Sequence, residues 1–168
     1  MPLPQQPLQS PFDDTSTAEE VIRGIDLHDK TAIVTGASAG IGAETARVLA
    51  GAGARLILPV RSVEKGRVIA DRIRQSTGND HVEVAYLDLG VWSSVRAFAG
   101  DILQRDIPIH ILIDNAGLMP ATLQLVEGKV EAQFGSKDDP RFARQLKVID
   151  DRITSLPGYR PMSMLLTK

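Results

Sequence analysis

Short apolar runs alternate with amphipathic stretches along most of this 168-residue sequence. Four of the runs have the aliphatic, β-branched composition of buried strands, and they span residues 30–36, 55–60, 82–89 and 109–117. Enough chain for a helix separates each run from the next, so the strands must be joined by crossover connections. The alternation therefore predicts an α/β fold, a doubly wound parallel sheet with helices on both faces.

The connecting stretches have the period of amphipathic helices. Helices are predicted over 41–52, over 62–75 and from Trp92 to Leu103, because apolar residues recur there at spacings of three and four. The first of these helices has one apolar face, formed by Ile41, Thr45, Val48, Leu49 and Ala52. We expect this face to lie against the sheet.

The two ends of the sequence depart from this pattern. Residues 1–15 are rich in proline and predict a flexible lead-in. Ser16 and Glu19 then have the spacing of a capping box, and Gly24 suits a helix end, so a short helix is predicted there. The regular unit accordingly spans residues 16–135.

Residues 136–168 form a divergent C-terminal segment. A helix is predicted over 140–156, because Pro140 suits a first helical position. Its apolar stripe consists of Phe142, Leu146, Ile149, Ile153 and Leu156. Such a stripe covers a face of the sheet or, alternatively, binds a partner protein.

Composition limits the classes of function. The formal net charge of −2 predicts no nucleic-acid partner, and no apolar run is long enough to span a membrane. The sequence contains no cysteine, which excludes disulfides and thiolate chemistry and is typical of a reducing compartment such as the cytoplasm. No histidines or acids have metal-ligand spacing, so no metal site is predicted.

The turn after the first predicted strand has the sequence TGASAGIG, residues 35–42. Gly36 allows a tight reversal out of the strand, while Gly40 and Gly42 remove side chains where a phosphate or the sheet would approach the next helix. The start of that helix offers free N–H groups and a partial positive charge. The turn therefore predicts a phosphate-bearing ligand, and the alternative is a strand-to-helix turn with incidental glycines.

Together with Asn115-Ala116-Gly117, this turn resembles the short-chain dehydrogenase/reductase family. The likeness runs from about Ser16 to Gly135, and it is strongest to retinol-dehydrogenase-like and WW-domain-oxidoreductase-like members. It implies a Rossmann-like doubly wound sheet, here truncated to about four strands with a C-terminal amphipathic helix, and a nicotinamide dinucleotide as cofactor. More distant α/β nucleotide-binding proteins, such as methyltransferases, fit these motifs less well.

The resemblance implies a set of cofactor-binding positions. For the pyrophosphate and adjoining ribose they are Thr35, Gly36, Ser38, Gly40, Ile41 and Gly42. Asp88 and Leu89 would contact the adenine, and Asn115, Ala116 and Gly117 would lie along the cofactor and steady the sheet.

Cofactor choice depends on the end of the second strand. An acid at that point bonds a ribose 2′-hydroxyl and favours NAD(H), whereas an arginine suits a 2′-phosphate. This chain has Arg61 there and Lys65 one turn later, so NADP(H) is favoured over NAD(H). The alternative is that Arg61 is a solvated residue at a helix start.

The catalytic residues of the family are not found in this sequence. The resemblance implies a tyrosine acid/base followed four residues later by a lysine. Tyr86 is followed at that spacing by Gly90 and Tyr159 by Ser163. Lys137 stands where relatives carry a supporting asparagine. We therefore predict no catalytic residue.

Two hypotheses of function follow. The chain is an oxidoreductase by descent, reduced to a cofactor-binding part that is inactive alone, or it is a non-catalytic nucleotide-binding or interaction module that pairs with a full-length relative. In either case the exposed sheet edge or the C-terminal helix predicts homo- or hetero-oligomers.

Overall fold

The computed structural model describes residues 10–118, 125–126 and 130–131. In chain order its elements are α1 (Ala18–Ile22), β1 (Thr31–Val34), α2 (Gly40–Gly51), β2 (Arg55–Val60), α3 (Val63–Thr77), β3 (Val82–Tyr86), α4 (Trp92–Gln104), β4 (Ile111–Ile113), β5 (Leu125–Val126) and β6 (Val130–Glu131). The predicted alternation of strands and helices is confirmed.

Four strands form one sheet in the order β3-β2-β1-β4, and all neighbours in it are parallel. The chain moves outward from β1 to β3 and then crosses back through α4 to place β4 on the other side of β1. The strand order therefore reverses between β1 and β4, and the carboxyl ends of all four strands share one edge. This is a Rossmann-like α/β fold, as predicted. β5 and β6 form a separate antiparallel pair.

Each face of the sheet has its own apolar core. On one face α2 and α3 contribute the small residues Ala46, Ala50 and Ala70 together with Ile73. On the other face α4 contributes Val95, Phe98 and Ile102, which pack on Ile33, Ile57 and Leu87. β1 is buried along its whole length, as expected of a central parallel strand.

The two ladders of β2 differ in length. Pairing with β1 stops at Ile33↔Ile57, whereas pairing with β3 continues to Val60↔Tyr86. β1 itself continues as a strand, because Val34 still pairs with Ile113 of β4. Pro59 explains the difference, since its nitrogen carries no hydrogen to donate towards β1.

The predicted start of α1 is wrong by one residue. Thr17, not Ser16, is the N-cap: its hydroxyl accepts from the Glu20 amide at 3.2 Å, and the Glu20 carboxylate accepts from the Thr17 amide at 2.7 Å. The Ser16 hydroxyl instead accepts from the Asp13 amide, within the turn that precedes the helix. Both spacings fit a capping box, and the preceding turn decides between them.

The predicted apolar face of α2 is also partly wrong. Ile41 is 80% exposed, and the buried residues are Gly42, Ala46, Val48 and Ala50. The helix presents its small residues to the sheet because they allow the backbone to approach closely. Val48 is buried and Leu49 packs against the core, as predicted, so the buried face excludes Ile41 but keeps these two residues.

Element ends account for the other differences. The runs predicted as strands over 82–89 and 109–117 end earlier, at Tyr86 and Ile113, because loops take over there. α3 extends beyond its predicted end, to Thr77, where Gly78 forms a left-handed cap.

Some of the sequence predictions concern residues beyond those described. The helix over 140–156 lies outside the described residues, as do Lys137, Tyr159 and most of the lead-in over 1–15. Within the described ranges, none of the helices has the length and apolar character that crossing a membrane requires.

Candidate functional site

The turn between β1 and α2 lies at the carboxyl edge of the sheet, beside the point where strand order reverses. Gly36 and Gly40 have positive φ angles of 67° and 57°, which favour glycine. The N-cap of α2 is Ala39, whose side chain has no oxygen for the first N–H groups of the helix, and the first turn contains no acid. The helix start therefore presents amide donors and a partial positive charge to a ligand at this edge.

The three glycines of the turn differ in their surroundings. A Cβ on Gly36 would lie 2.8 Å from the Cα of Ala116, and one on Gly42 would collide with the Asn115 amide and lie 2.8 Å from the Gly36 carbonyl oxygen. A Cβ on Gly40 would meet nothing within 4 Å. Gly36 and Gly42 thus serve close packing, while Gly40 faces open space.

The end of β4 is fastened to this turn by hydrogen bonds. The Asn115 side-chain amide donates to the Thr35 carbonyl at 3.0 Å, and the Ala116 amide donates to the Thr35 hydroxyl at 3.0 Å. The Thr35 hydroxyl donates in turn to the Ile113 carbonyl at 3.4 Å. Thr35 is 2% exposed, so these bonds are protected from water. We call this set of contacts the Thr35–Asn115 latch.

The loop after β3 has its own fixed geometry. The Asp88 amide donates to the Ser94 hydroxyl at 2.9 Å, and the Asp88 carboxylate accepts from the Gly90 amide at 2.8 Å. Leu89 packs against the core on the α4 face. Ser94 was missed from the sequence, although a small polar residue in the first turn of a helix is a usable signal for such a contact.

Arg61 directly follows β2 and precedes Ser62, the N-cap of α3, whose hydroxyl accepts from the Lys65 amide at 3.4 Å. Both Arg61 and Lys65 are exposed. Neither has an ion-pair partner in the part of the chain that the structure describes, whereas Arg47, Arg74 and Arg105 are each paired with carboxylates. Two positively charged side chains without an ion-pair partner among the described residues therefore lie at the carboxyl end of β2.

The residues predicted for the cofactor come from the carboxyl ends of all four strands. Those of the β1 turn are Thr35, Gly36, Ser38, Gly40, Ile41 and Gly42; Arg61 follows β2; Asp88 and Leu89 follow β3; Asn115, Ala116 and Gly117 follow β4. The latch brings the first and last of these groups into contact. Among the described residues, no three His, Cys, Asp or Glu side chains are grouped to hold a metal ion.

Tyr86 is the tyrosine that the described residues contain, and it ends the edge strand β3 with 56% of its surface exposed. No lysine follows it at a spacing of four.

At the opposite, amino end of the sheet, the Thr31 amide donates to Nδ1 of His110 at 3.0 Å. Burial lowers the pKa of His110, and the nearby Lys30 charge lowers it further.

A family model described as short chain dehydrogenase matches residues 30–136. The chain is 39% identical over 128 residues to "Short-chain dehydrogenase TIC 32 B, chloroplastic" of Brassica napus, covering 76% of this chain and 40% of that protein. It is 48% identical over 95 residues to retinol dehydrogenase 11 of Homo sapiens, covering 56% and 30%. The WW domain-containing oxidoreductase of Gallus gallus is 38% identical over 128 residues, covering 76% and 31%.

Solved structures resemble the described fold. A short-chain dehydrogenase from Sphingobium yanoikuyae in complex with NADPH is 30% identical, with a TM-score of 0.58, over 74% of this chain and 47% of that one. A metagenomic short-chain oxidoreductase in complex with NADP is 39% identical, with a TM-score of 0.51, over 55% and 41%. The chain thus spans less than half the length of the relatives and structures named here.

Proposed function

Because the chain belongs to the short-chain dehydrogenase family, we propose that it binds a nicotinamide dinucleotide at the carboxyl edge of its parallel sheet. The resemblance to retinol dehydrogenases and to WW domain-containing oxidoreductase is confirmed. The observation that carries the proposal is the start of α2, where an uncapped helix end stands beside the open space at Gly40.

The described residues fit such a cofactor. The amides of Gly40, Ile41 and Gly42 would hold the pyrophosphate, because no side chain fills the space in front of Gly40. The backbone near Asn115 and Ala116 would lie along the nicotinamide half, held in place by the Thr35–Asn115 latch. When bound, the dinucleotide supplies hydride chemistry; the chain supplies the binding surface.

We further propose that NADP(H) is preferred over NAD(H). Arg61 and Lys65 are exposed at the end of β2 and leave two positive charges for a ribose 2′-phosphate. A guanidinium can grip a phosphate with two parallel hydrogen bonds. The Sphingobium and metagenomic neighbours are complexes with NADPH and NADP, which is in keeping with this preference.

The test is a titration of the full 168-residue chain with NADPH and with NADH. Trp92, the single tryptophan, begins α4 just after the β3 loop, so energy transfer from it to bound reduced nicotinamide reports binding. We expect Arg61→Ala to weaken NADPH binding about ten- to a hundredfold, as the loss of charge-assisted bonds implies, and to leave NADH binding unchanged. Arg72→Ala, an exposed arginine farther along α3, is the matched control. Equal binding of both cofactors by the unaltered chain would contradict the preference.

We propose that these 168 residues alone do not transfer hydride. The family's tyrosine and lysine pair would hold and move the proton at the substrate oxygen, and neither tyrosine of this sequence has a lysine four residues later. Assays with NADPH and a panel of aldehydes and ketones should give no turnover above the rate without protein. Robust turnover by the purified chain would contradict this proposal.

A second candidate function is an interaction module that pairs with a full-length relative. The residues of β4 are half-buried, while those of β1 are buried, and within the described sheet β4 pairs with β1 alone. An edge of this kind invites a further strand. Light scattering on the purified chain tests the idea, because a stable monomer that does not associate with an added full-length relative would contradict it.

Two proposals concern organisation and location. We propose that residues 16–135 form the dinucleotide-binding unit, with 1–15 as a lead-in and 136–168 as a divergent segment. Limited proteolysis followed by mass spectrometry should then leave a resistant fragment close to 16–135. We also propose a cytoplasmic location, consistent with the absence of cysteine, and a fluorescent fusion that accumulates in an organelle would contradict it.

A further inference from the structure

Pro59 occupies an unusual position for a proline. It is fully buried in β2, which has a hydrogen-bonded neighbour on each side. Prolines within sheets are normally confined to edges, first positions or bulges, because they cannot donate to a ladder. A buried proline in an inner strand at the candidate cofactor edge therefore needs an explanation.

The hydrogen-bond pattern shows which neighbour Pro59 affects. The Leu56 amide donates to the His81 carbonyl, and the Leu87 amide donates to the Val60 carbonyl. The backbone groups of the even-numbered residues of β2 therefore point towards β3. The Arg55 amide donates to the Lys30 carbonyl, so the backbone groups of the odd-numbered residues point towards β1. Pro59 belongs to the second set, and an amide hydrogen at that position would be directed at the carbonyl of Val34. This is where the β1–β2 ladder stops.

The end of β2 is instead held from the other side. It remains in register with β3 up to Val60↔Tyr86, and α3 sits so closely above it that a Cβ on Gly66 would lie 2.7 Å from Val60 and 2.8 Å from Val84. The ends of β2 and β3 and the start of α3 thus form one packed unit. Arg61 is carried by this unit, two residues after Pro59.

We propose that Pro59 is a positioning residue for Arg61 and thereby sets the choice between NADP(H) and NAD(H). It keeps the ends of β1 and β2 unlinked, and its ring fixes φ at about −65°, which directs the chain towards the α3 start. The ribose that carries the 2′-phosphate then fits between the Gly36 turn and Arg61. This role rests on the proposed function, because it deepens the proposed preference.

The test replaces Pro59 with residues that restore an amide hydrogen. Pro59→Ala gives the hydrogen with a smaller side chain, and Pro59→Val gives it with a side chain of similar volume, which separates the backbone effect from a cavity. Pro108→Ala, an exposed proline before β4, is the matched control. Each variant is titrated with NADPH and NADH, alone and combined with Arg61→Ala.

In the Pro59 variants we expect a new bond to Val34 to draw β2 towards β1 and displace Arg61. NADPH binding should weaken about three- to tenfold, since sites lose affinity when displaced by about 0.5 Å, while NADH binding stays unchanged. The effect should disappear in the Arg61→Ala background. Equal weakening for both cofactors, no change for either, or an effect that persists without Arg61 would overturn the role of Pro59.

The same data separate this inference from the proposed function. An unaltered chain that binds neither cofactor contradicts the proposed function, and the role of Pro59 with it. An unaltered chain that prefers NADPH, together with Pro59 variants that keep the same preference, contradicts the role of Pro59 alone.

Discussion

The two sides of the candidate site are built differently. On the β1–β4 side, the Thr35–Asn115 latch and the tightly packed Gly36 and Gly42 join the two strand ends. On the β2–β3 side, the strands are well paired with each other, but the last hydrogen bonds towards β1 are missing. We call the β1–β4 side the locked side, because hydrogen bonds join its two strand ends. We call the β2–β3 side the leaning side, because its strands pair with each other while the end of β2 is not paired with β1.

This difference matches the parts of a dinucleotide that each side would contact. A pyrophosphate is common to both nicotinamide dinucleotides, and a rigid backbone site suits a group that never varies. The ribose 2′ position distinguishes the two, and it would be recognised by the exposed side chains of Arg61 and Lys65. We therefore expect substitutions on the locked side and on the leaning side to change the unfolding free energy by different amounts.

The largest effect is expected at Gly36, on the locked side. Gly36→Ala forces a side chain into a positive φ and against the Cα of Ala116, so we expect unfolding free energy to fall by about 3 kcal/mol. Gly40→Ala has the same kind of φ but open space around it, and it should cost about 1 kcal/mol. Urea denaturation measures both, and equal losses would show that packing at Gly36 is unimportant.

The latch itself is tested by Thr35→Val, which keeps the shape and removes the hydroxyl. The Ala116 amide then loses its acceptor in a buried setting, which should lower the unfolding free energy by about 1–3 kcal/mol. Thr45→Val is the matched control, because the Thr45 hydroxyl has no hydrogen bond among the described residues. Thermal or urea unfolding that does not distinguish the two variants would mean that the latch adds nothing.

On the leaning side, Gly66 is predicted to be required for packing. A methyl group at this position would overlap Val60 and Val84, and this overlap should outweigh the higher helix propensity of alanine, giving a net loss of about 1 kcal/mol. Gly100, in α4, has nothing within 4 Å of its Cβ position, so Gly100→Ala should stabilise by up to about 1 kcal/mol. A gain in stability for Gly66→Ala would indicate that this unit is loosely packed.

The smallest effect is expected at the amino end of the locked side, where the Thr31 amide donates to Nδ1 of His110. Burial holds the pKa of His110 below its ordinary 6.5, so the unfolded chain binds the proton more tightly than the folded one. Its contribution to stability is therefore complete above pH 6.5 and is lost as the pH falls towards the lowered value. His110→Asn keeps an acceptor for Thr31 and should flatten this part of the stability–pH profile. Profiles of identical slope would contradict the assignment.

The α/β alternation, the parallel sheet and the glycine turn were all predictable from sequence. Strand and helix periods differ, and a parallel sheet requires the crossovers that the spacing allows. The buried face of α2 was not predictable in full, since Ile41 is more apolar than Ala46 yet lies outside. The capping residue of α1 was also missed, because Ser16 and Thr17 both carry hydroxyls and a preceding turn consumes the first.

Within the candidate site, the kinds of residue followed from the motifs, but their contacts did not. The sequence assigned the tight reversal to Gly36 and a close approach of phosphate or sheet to Gly40 and Gly42. The structure shows that Gly36 and Gly42 pack closely and that Gly40 faces open space. The resemblance to the family implied that Asn115 steadies the sheet. The structure shows that its side-chain amide donates a hydrogen bond to the Thr35 carbonyl. Partners eighty residues apart in sequence leave no local pattern to read.

By itself the sequence determined the succession of strands and helices along the chain, the glycine-rich turn after β1 and the arginine after β2, because each depends on neighbouring residues. The tertiary structure alone decided which strand ends are joined. Pro59 is visible in the sequence as a proline in a strand, but its consequence depends on whether its nitrogen faces β1 or β3. That direction is fixed by the register of three strands, which only their packing together establishes.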